Sequence, residues 1–265
     1  MRICILGNSV PLVVAPARSS REEGTYAEIL LTRGHEVHNA ARQSMLITDL
    51  YRCLEEDCIS RAPQIVVLNF GIVEATMRVR SRRLQNGLTA NAWKNVISGT
   101  PCMGPYHRAF AHAVRRVVRL VERPAFALHL AHPWVRPGLF EFALKDIAKS
   151  VFKDTPTEQV ILIGMPRSPS WLEREAPGTS RMVDALNAIM IRVAGSCADT
   201  HYIDPNSIPG PQGAYSDGIH FTASGHRWIA EQLLAMTDRR RSDFGQWKAI
   251  NPYAGTRILK HLHRS

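Results

Sequence analysis

The chain predicts an α/β fold around a mostly parallel sheet, on three observations. Short apolar runs alternate with longer amphipathic stretches along its 265 residues, the pattern of βα units. A composition 45% apolar and 21% charged is that of an ordinary globular chain, against wholesale disorder, a collagen-like repeat or a disulfide mini-protein. The first apolar run also passes directly into Gly7-Asn8-Ser9-Val10, a turn at the carboxyl end of a strand, where ligands of doubly wound sheets gather.

The strands are read in order as Arg2 to Leu6, Glu36 to Asn39, Gln64 to Asn69, Gln159 to Gly164 and His201 to Asp204. Between them, helical periodicity places helices over Tyr26 to Thr32, Ile47 to Asp57, Leu139 to Lys153, Arg181 to Ala194 and Thr222 to Met236. A Gly-containing segment, Asp217 to Ser224, leads into the last helix. The main unit is expected over residues 1–237, followed by a basic tail at 238–265.

Residues 78–137 interrupt this rhythm as a basic insertion. It opens with Arg78-Val79-Arg80-Ser81-Arg82-Arg83 and passes a stretch containing Gly99, Pro101, Gly104 and Pro105. It then enters a helix ended by Pro124, with Phe110, Val114, Val117, Val118 and Val121 on one face. Arg108, His112, Arg115, Arg116, Arg119 and Arg123 line the other, as either a solvated face or an anion-binding one. Ala125 to Ala131 reads equally as strand or helix.

The net charge of +10 has a location. Residues 78–123 hold ten Arg/Lys against one acid and residues 239–265 hold seven against one, while the remainder is slightly acidic. The tail carries Trp247, Tyr253, Ile258 and Leu259, so it packs back on the domain or meets phosphates. Five cysteines, an odd number without framework spacing, fit reduced thiols. The chain opens on a strand instead of a signal peptide, and no apolar run approaches a membrane span, so a cytoplasmic location is expected.

Ser9 alone is weak evidence of chemistry, because a serine after a strand also caps helices. It gains a partner in Ser216-Asp217-Gly218-Ile219-His220-Phe221 near the other end of the chain. An imidazole that takes the hydroxyl proton makes serine a nucleophile, and a carboxylate three residues away fixes the tautomer and stabilises the imidazolium.

With Gly7-Asn8-Ser9 at the front and Asp217-Gly218-Ile219-His220 at the back, the chain resembles the SGNH, or GDSL-like, hydrolase superfamily over about residues 1–237. The resemblance implies a three-layer α/β/α fold of flavodoxin-like type with a five-stranded parallel sheet. It implies Ser9 as nucleophile, His220 as general base and acid, Asp217 as its orienter, and no metal or organic cofactor. Members cleave carboxylic esters, thioesters or sugar O-acetyl groups, and some transfer acyl groups.

Two middle blocks depart from the family pattern. The glycine block corresponds to Asn39-Ala40-Ala41-Arg42-Gln43-Ser44, so Ser44 stands where glycine helps form the oxyanion hole; its backbone N–H survives the exchange. The Gly-x-Asn-Asp block corresponds to Gly71-Ile72-Val73-Glu74, and valine offers no donor to a developing oxyanion. Losing one such donor costs about 10²- to 10³-fold, or roughly 2.7 to 4 kcal/mol. Asn69, Arg42 or an arginine of the insertion is expected to substitute, which makes Arg42 and Asn69 candidate substrate-binding residues. The Asn69 to Ala75 segment also resembles a Gly-Ile-Val-Asp variant of SGNH-like proteins tied to polysaccharide or specialised-metabolite pathways.

Other chemistry finds little support. His129 with His132, and His261 with His263, lack a third ligand at zinc spacing, and no Cys-x-x-Cys pair exists. Cys53 and Cys58 do not share a helical face, and His226 receives no catalytic role. No phosphate loop or Gly-x-Gly-x-x-Gly follows a strand.

The leading expectation is a serine hydrolase, of esterase, thioesterase or deacetylase type, working through an acyl-enzyme. Its substrate is a small or carrier-linked acyl compound, anionic given the basic insertion, with nucleic acid a less favoured partner. An acyltransferase using the same acyl-enzyme, or a catalytically weak scaffold holding an anionic partner, stands as the alternative. Acyl group, acceptor and oligomeric state are not legible in the residues.

Overall fold

The computed structural model describes residues 1–11, 24–79, 122, 124–128, 130–209 and 219–250, with side chains to residue 237. Five strands, β1 (Arg2–Gly7), β2 (Glu36–Asn39), β3 (Ile65–Asn69), β4 (Gln159–Ile163) and β5 (Thr200–Ile203), form one sheet in the order β2-β1-β3-β4-β5. Every pairing is parallel. Chain order reverses between β1 and β3, so the crevice outside their carboxyl ends is the expected ligand position.

Burial explains the composition of each strand. Every residue of β3 and β4 is buried, because helices cover both faces of a parallel sheet and leave no wet side for alternation. The edge strand β2 runs Glu-Val-His-Asn with no fully buried residue, as an edge beside solvent tolerates.

Helices α1 (Tyr26–Thr32) and α7 (Ala223–Ile250) pack together as one layer. Opposite them, α4 (Pro137–Asp154) packs on α6 (Thr179–Ser196). Phe140, Ala143, Leu144, Ile147, Ala148 and Val151 recur at helical spacing and bury the inner face of α4. Thr25 caps α1 in a capping box with Glu28. The expected strands and helices match to within one or two residues at most ends, and α7 continues past its expected end at Met236 to Ile250.

The expected helix over Ile47 to Asp57 is instead a 3-10 turn, Ile47–Arg52, followed by the four-residue α2 (Leu54–Asp57). Cys53 breaks the run with φ −135° and an N–H returned to Leu50, three residues back. Two short helices were not read from the sequence: α3 (Ile72–Ala75) and α5 (Ser170–Glu175). Within Ala125 to Ala131, residues 124–127 form a helical turn. Beyond it, His132 pairs antiparallel with Arg78 through N–H···O bonds of 2.9 and 3.0 Å.

The arginine-lined helix and Gly/Pro stretch of the insertion, His129, Asp217 and the residues after 250 lie outside the described residues. Among the described residues, no helix is long and apolar enough to cross a membrane.

Candidate active site

The turn after β1 is built by close approach. A side chain at Gly7 would place its Cβ 2.7 Å from the carbonyl oxygen of Asn69, so only glycine lets the ends of β1 and β3 come this near. Asn8 N–H then donates to that carbonyl at 3.2 Å, and Arg42 N–H donates to the carbonyl of Gly7 at 3.0 Å. Asn8 Oδ1 accepts from Val10 N–H at 3.2 Å, an Asx turn around Ser9. The turn carrying Ser9 is thus bonded to the loop after β2 and to the last residue of β3.

Ser9 Oγ lies 2.9 Å from His220 Nε2, across 211 positions of sequence. His220 precedes α7, and its neighbour Phe221 is 1% exposed. Phe221 meets the His226 ring edge-on, centroids 5.4 Å apart. His226 Nδ1 accepts from Tyr26 N–H at 3.3 Å, which places its proton on Nε2. Burial, and then the charge of nearby His220, pushes the His226 imidazole down to about 4, so it is a neutral fixture of the site.

The other expected residues fall as follows. Ser44 is exposed at φ +58°, a left-handed conformation that favours glycine, the residue the family pattern has there. The Arg42 guanidinium donates through Nη2 to both carboxylate oxygens of Asp57, at 2.8 and 2.6 Å, and only its main chain reaches the Ser9 turn. Asn69 is 4% exposed at the end of β3. Its Oδ1 and the Nδ2 of Asn8 are buried with no hydrogen-bond partner among the described residues. Asn8 and Asn69 line a cavity of about 10 Å³ with Val10, Phe70, Met165 and Phe221, the scale of a single water. Asp217 lies outside the described residues, so the site as described holds Ser9 and His220.

Sequence reasoning passed over Glu74. Its carboxyl is fully buried, with Oε1 accepting from Ile47 N–H at 2.7 Å and Oε2 from Gly71 N–H at 2.9 Å. Burial pushes it up to about 7, against the backbone N–H groups of Ile47, Glu74 itself and Gly71, with Asp49 adding a smaller push in the same direction as burial. The available signal was Glu74 as the lone charge in the run from Ile65 to Ala75.

Gly71 stands at φ +127°, and a Cβ there would meet Met165 Sδ at 2.5 Å. Asn187 holds Met165 on both sides, its Oδ1 accepting from Met165 N–H at 2.8 Å and its Nδ2 donating to the Met165 carbonyl at 2.9 Å. The loops after β3 and β4 are therefore locked against each other at the carboxyl end of the sheet. No group of three or more His, Cys, Asp or Glu side chains among the described residues is placed to hold a metal ion.

No protein-family model and no curated protein matches the chain. Solved structures do. A catalytic mutant of Axe2, an acetylxylan esterase from Geobacillus stearothermophilus, is similar with TM-score 0.53 and 14% identity, over 88% of this chain and 92% of that one. A lipase/acylhydrolase from Enterococcus faecalis is similar with TM-score 0.55 and 16% identity, over 91% and 97%. TesA follows with TM-score 0.50 and 15% identity, over 89% and 97%. The catalytic mutants of Axe2 replace a serine, an aspartate and a histidine by alanine. With helices on both faces of its five-stranded parallel sheet, the chain has the three-layer α/β fold of the SGNH hydrolases.

Proposed function

We propose that the chain is an ester-bond hydrolase with Ser9 as nucleophile and His220 as general base. One observation carries this reading: Ser9 Oγ lies 2.9 Å from His220 Nε2 at the carboxyl end of the sheet, hydrogen-bond distance for a nucleophile and its base. The Ser9 O–H donates to Nε2, the oxygen attacks the acyl carbonyl, and the proton passes to His220 and on to the leaving alcohol or thiol. Water activated by the same imidazole then releases the acyl-enzyme.

Asp217, three positions before His220, is assigned to hold the imidazolium. The esterase and acylhydrolase neighbours, one with serine, aspartate and histidine as its mutated catalytic residues, support the assignment.

The oxyanion falls to the backbone N–H groups of Ser9 and Ser44, the latter in a glycine-like conformation. Val73 removes the side-chain donor, and Asn69 beside Gly7 is the amide we assign to the substrate. Arg42 reaches a substrate only by releasing Asp57. The cationic segments favour an anionic or carrier-linked acyl compound, and interception of the acyl-enzyme by another acceptor would make the same site a transferase.

Labelling with a fluorophosphonate probe tests the reading. Strong labelling of the intact protein, lost in Ser9→Ala and in His220→Ala, is the expected result. A folded protein that takes no label would instead favour a binding role, the reading that Val73 supports.

A further inference from the structure

We infer that Glu74 is a positioning residue whose buried carboxylate pins the loop after β2 to the loop after β3 and so sets the turn that carries Ser9. The inference deepens the hydrolase reading, and its catalytic consequence rests on that reading.

A closed ring of bonds surrounds the turn. Arg42, in the loop after β2, donates to Gly7; Asn69, the last residue of β3, accepts from Asn8. These two bonds attach the Ser9 turn to both neighbours. Five residues after Arg42, Ile47 donates to Glu74 Oε1, and two residues after Asn69, Gly71 donates to Glu74 Oε2. The carboxylate therefore closes the ring between the two loops. Without it, the two loops are joined to the turn but not to each other through this side chain.

A carboxylate suits the place because the N–H groups of Ile47 and Gly71 are aimed at different oxygens and the N–H of Glu74 itself adds a third donor. A protonated acid turns one oxygen into a donor facing a donor, and a glutamine puts an NH₂ group there. Both leave a buried backbone N–H badly paired. The charged groups acting on Glu74 are Asp49, itself an acceptor of Leu46 N–H at 2.9 Å, and Arg78 at the base of the insertion, which also feels Glu122. Burial brings the Glu74 ionisation to about 7, so both forms are populated near neutrality. Glu74 touches no reacting atom in this scheme and acts through the loops.

Two measurements on the full chain, with Glu74→Gln and Glu74→Asp, test the inference. In an NMR pH titration, the amide protons of Ile47 and Gly71 should move together through a midpoint near 7 in the intact protein and stay still in Glu74→Gln. In hydrolysis of p-nitrophenyl acetate, Glu74→Gln should lower kcat about tenfold above pH 8 with KM within about twofold, and approach the intact protein below pH 6. Glu74→Asp should recover most of the loss. Amide shifts that ignore pH, or a kcat deficit equal in both variants and constant with pH, would overturn the inference. If Glu74→Gln does not fold, the intact titration and the aspartate variant decide. If the intact protein cleaves no ester, the hydrolase reading falls while the amide titration still judges the bracket.

Discussion

His226 accepts the main-chain N–H of Tyr26 across 200 positions and so fastens the first residue of α1 to α7, the helix that follows His220. Phe221 packs edge-on against the same ring, so the backbone beside His220 leans on a side chain whose other anchor is the start of α1.

Burial of the His226 ring, with His220 nearby, gives it a pH signature. An unfolded His226 binds a proton near 6.5 and the folded one only near 4, so the unfolded state gains protons first on acidification. The stabilisation is complete above 6.5 and lost as pH falls towards 4, on the order of 3 kcal/mol. His226→Phe keeps an aromatic ring there that does not titrate, at a pH-independent cost from the lost Tyr26 bond. Urea unfolding between pH 4 and 7 should show the intact protein losing about 3 kcal/mol more than the variant. Parallel curves would refute the assignment. Glu74 acts with the opposite sign, because its folded ionisation is raised: its contribution is full below 4.5 and lost as pH rises through 7, so only comparison with the variant isolates His226.

Gly71→Ala should cost about 2 to 4 kcal/mol, combining a disfavoured backbone conformation with a clash against Met165. The double variant Gly71→Ala with Met165→Ala separates the two. Removing the sulfur relieves the contact but leaves the positive φ, so a non-additive, partial recovery is expected in denaturant unfolding. Full additivity would mean that the two residues do not meet.

Ser44→Gly should stabilise the protein by about 0.5 to 1 kcal/mol, since glycine adopts φ +58° without a Cβ penalty. Ester turnover should stay within about twofold, because the backbone N–H is unchanged. A lowered thermal midpoint, or turnover that collapses with the hydroxyl, would show that the serine side chain has its own task there.

Long periodic elements were legible in the residues, and contacts between distant segments were not. The periodicity placed α1 to the residue and α4 within two residues at each end, because apolar spacing over two or more turns reports a buried face directly. The four residues of α3 and six of α5 span too few turns to show a period. The 3-10 geometry at Ile47 follows from caps and carbonyl partners that hydrophobic pattern does not encode. In the site, Ser9 and His220 stood out because their residue types advertise chemistry. Glu74 and His226 did not: an acid beside Ile72 and Val73 and a histidine within a helix look ordinary until tertiary contacts show that both are buried.

The antiparallel pairing of Arg78 with His132 makes the long excursion between β3 and α4 a cassette. Its exit and return are hydrogen-bonded neighbours, a gap of about 5 Å that a tight turn can bridge. The Arg78 guanidinium, 4.0 Å over the Trp134 ring, rivets the same junction. The strand order beneath therefore depends little on how many residues the chain spends between those two positions, since entry and exit stay paired whatever their number.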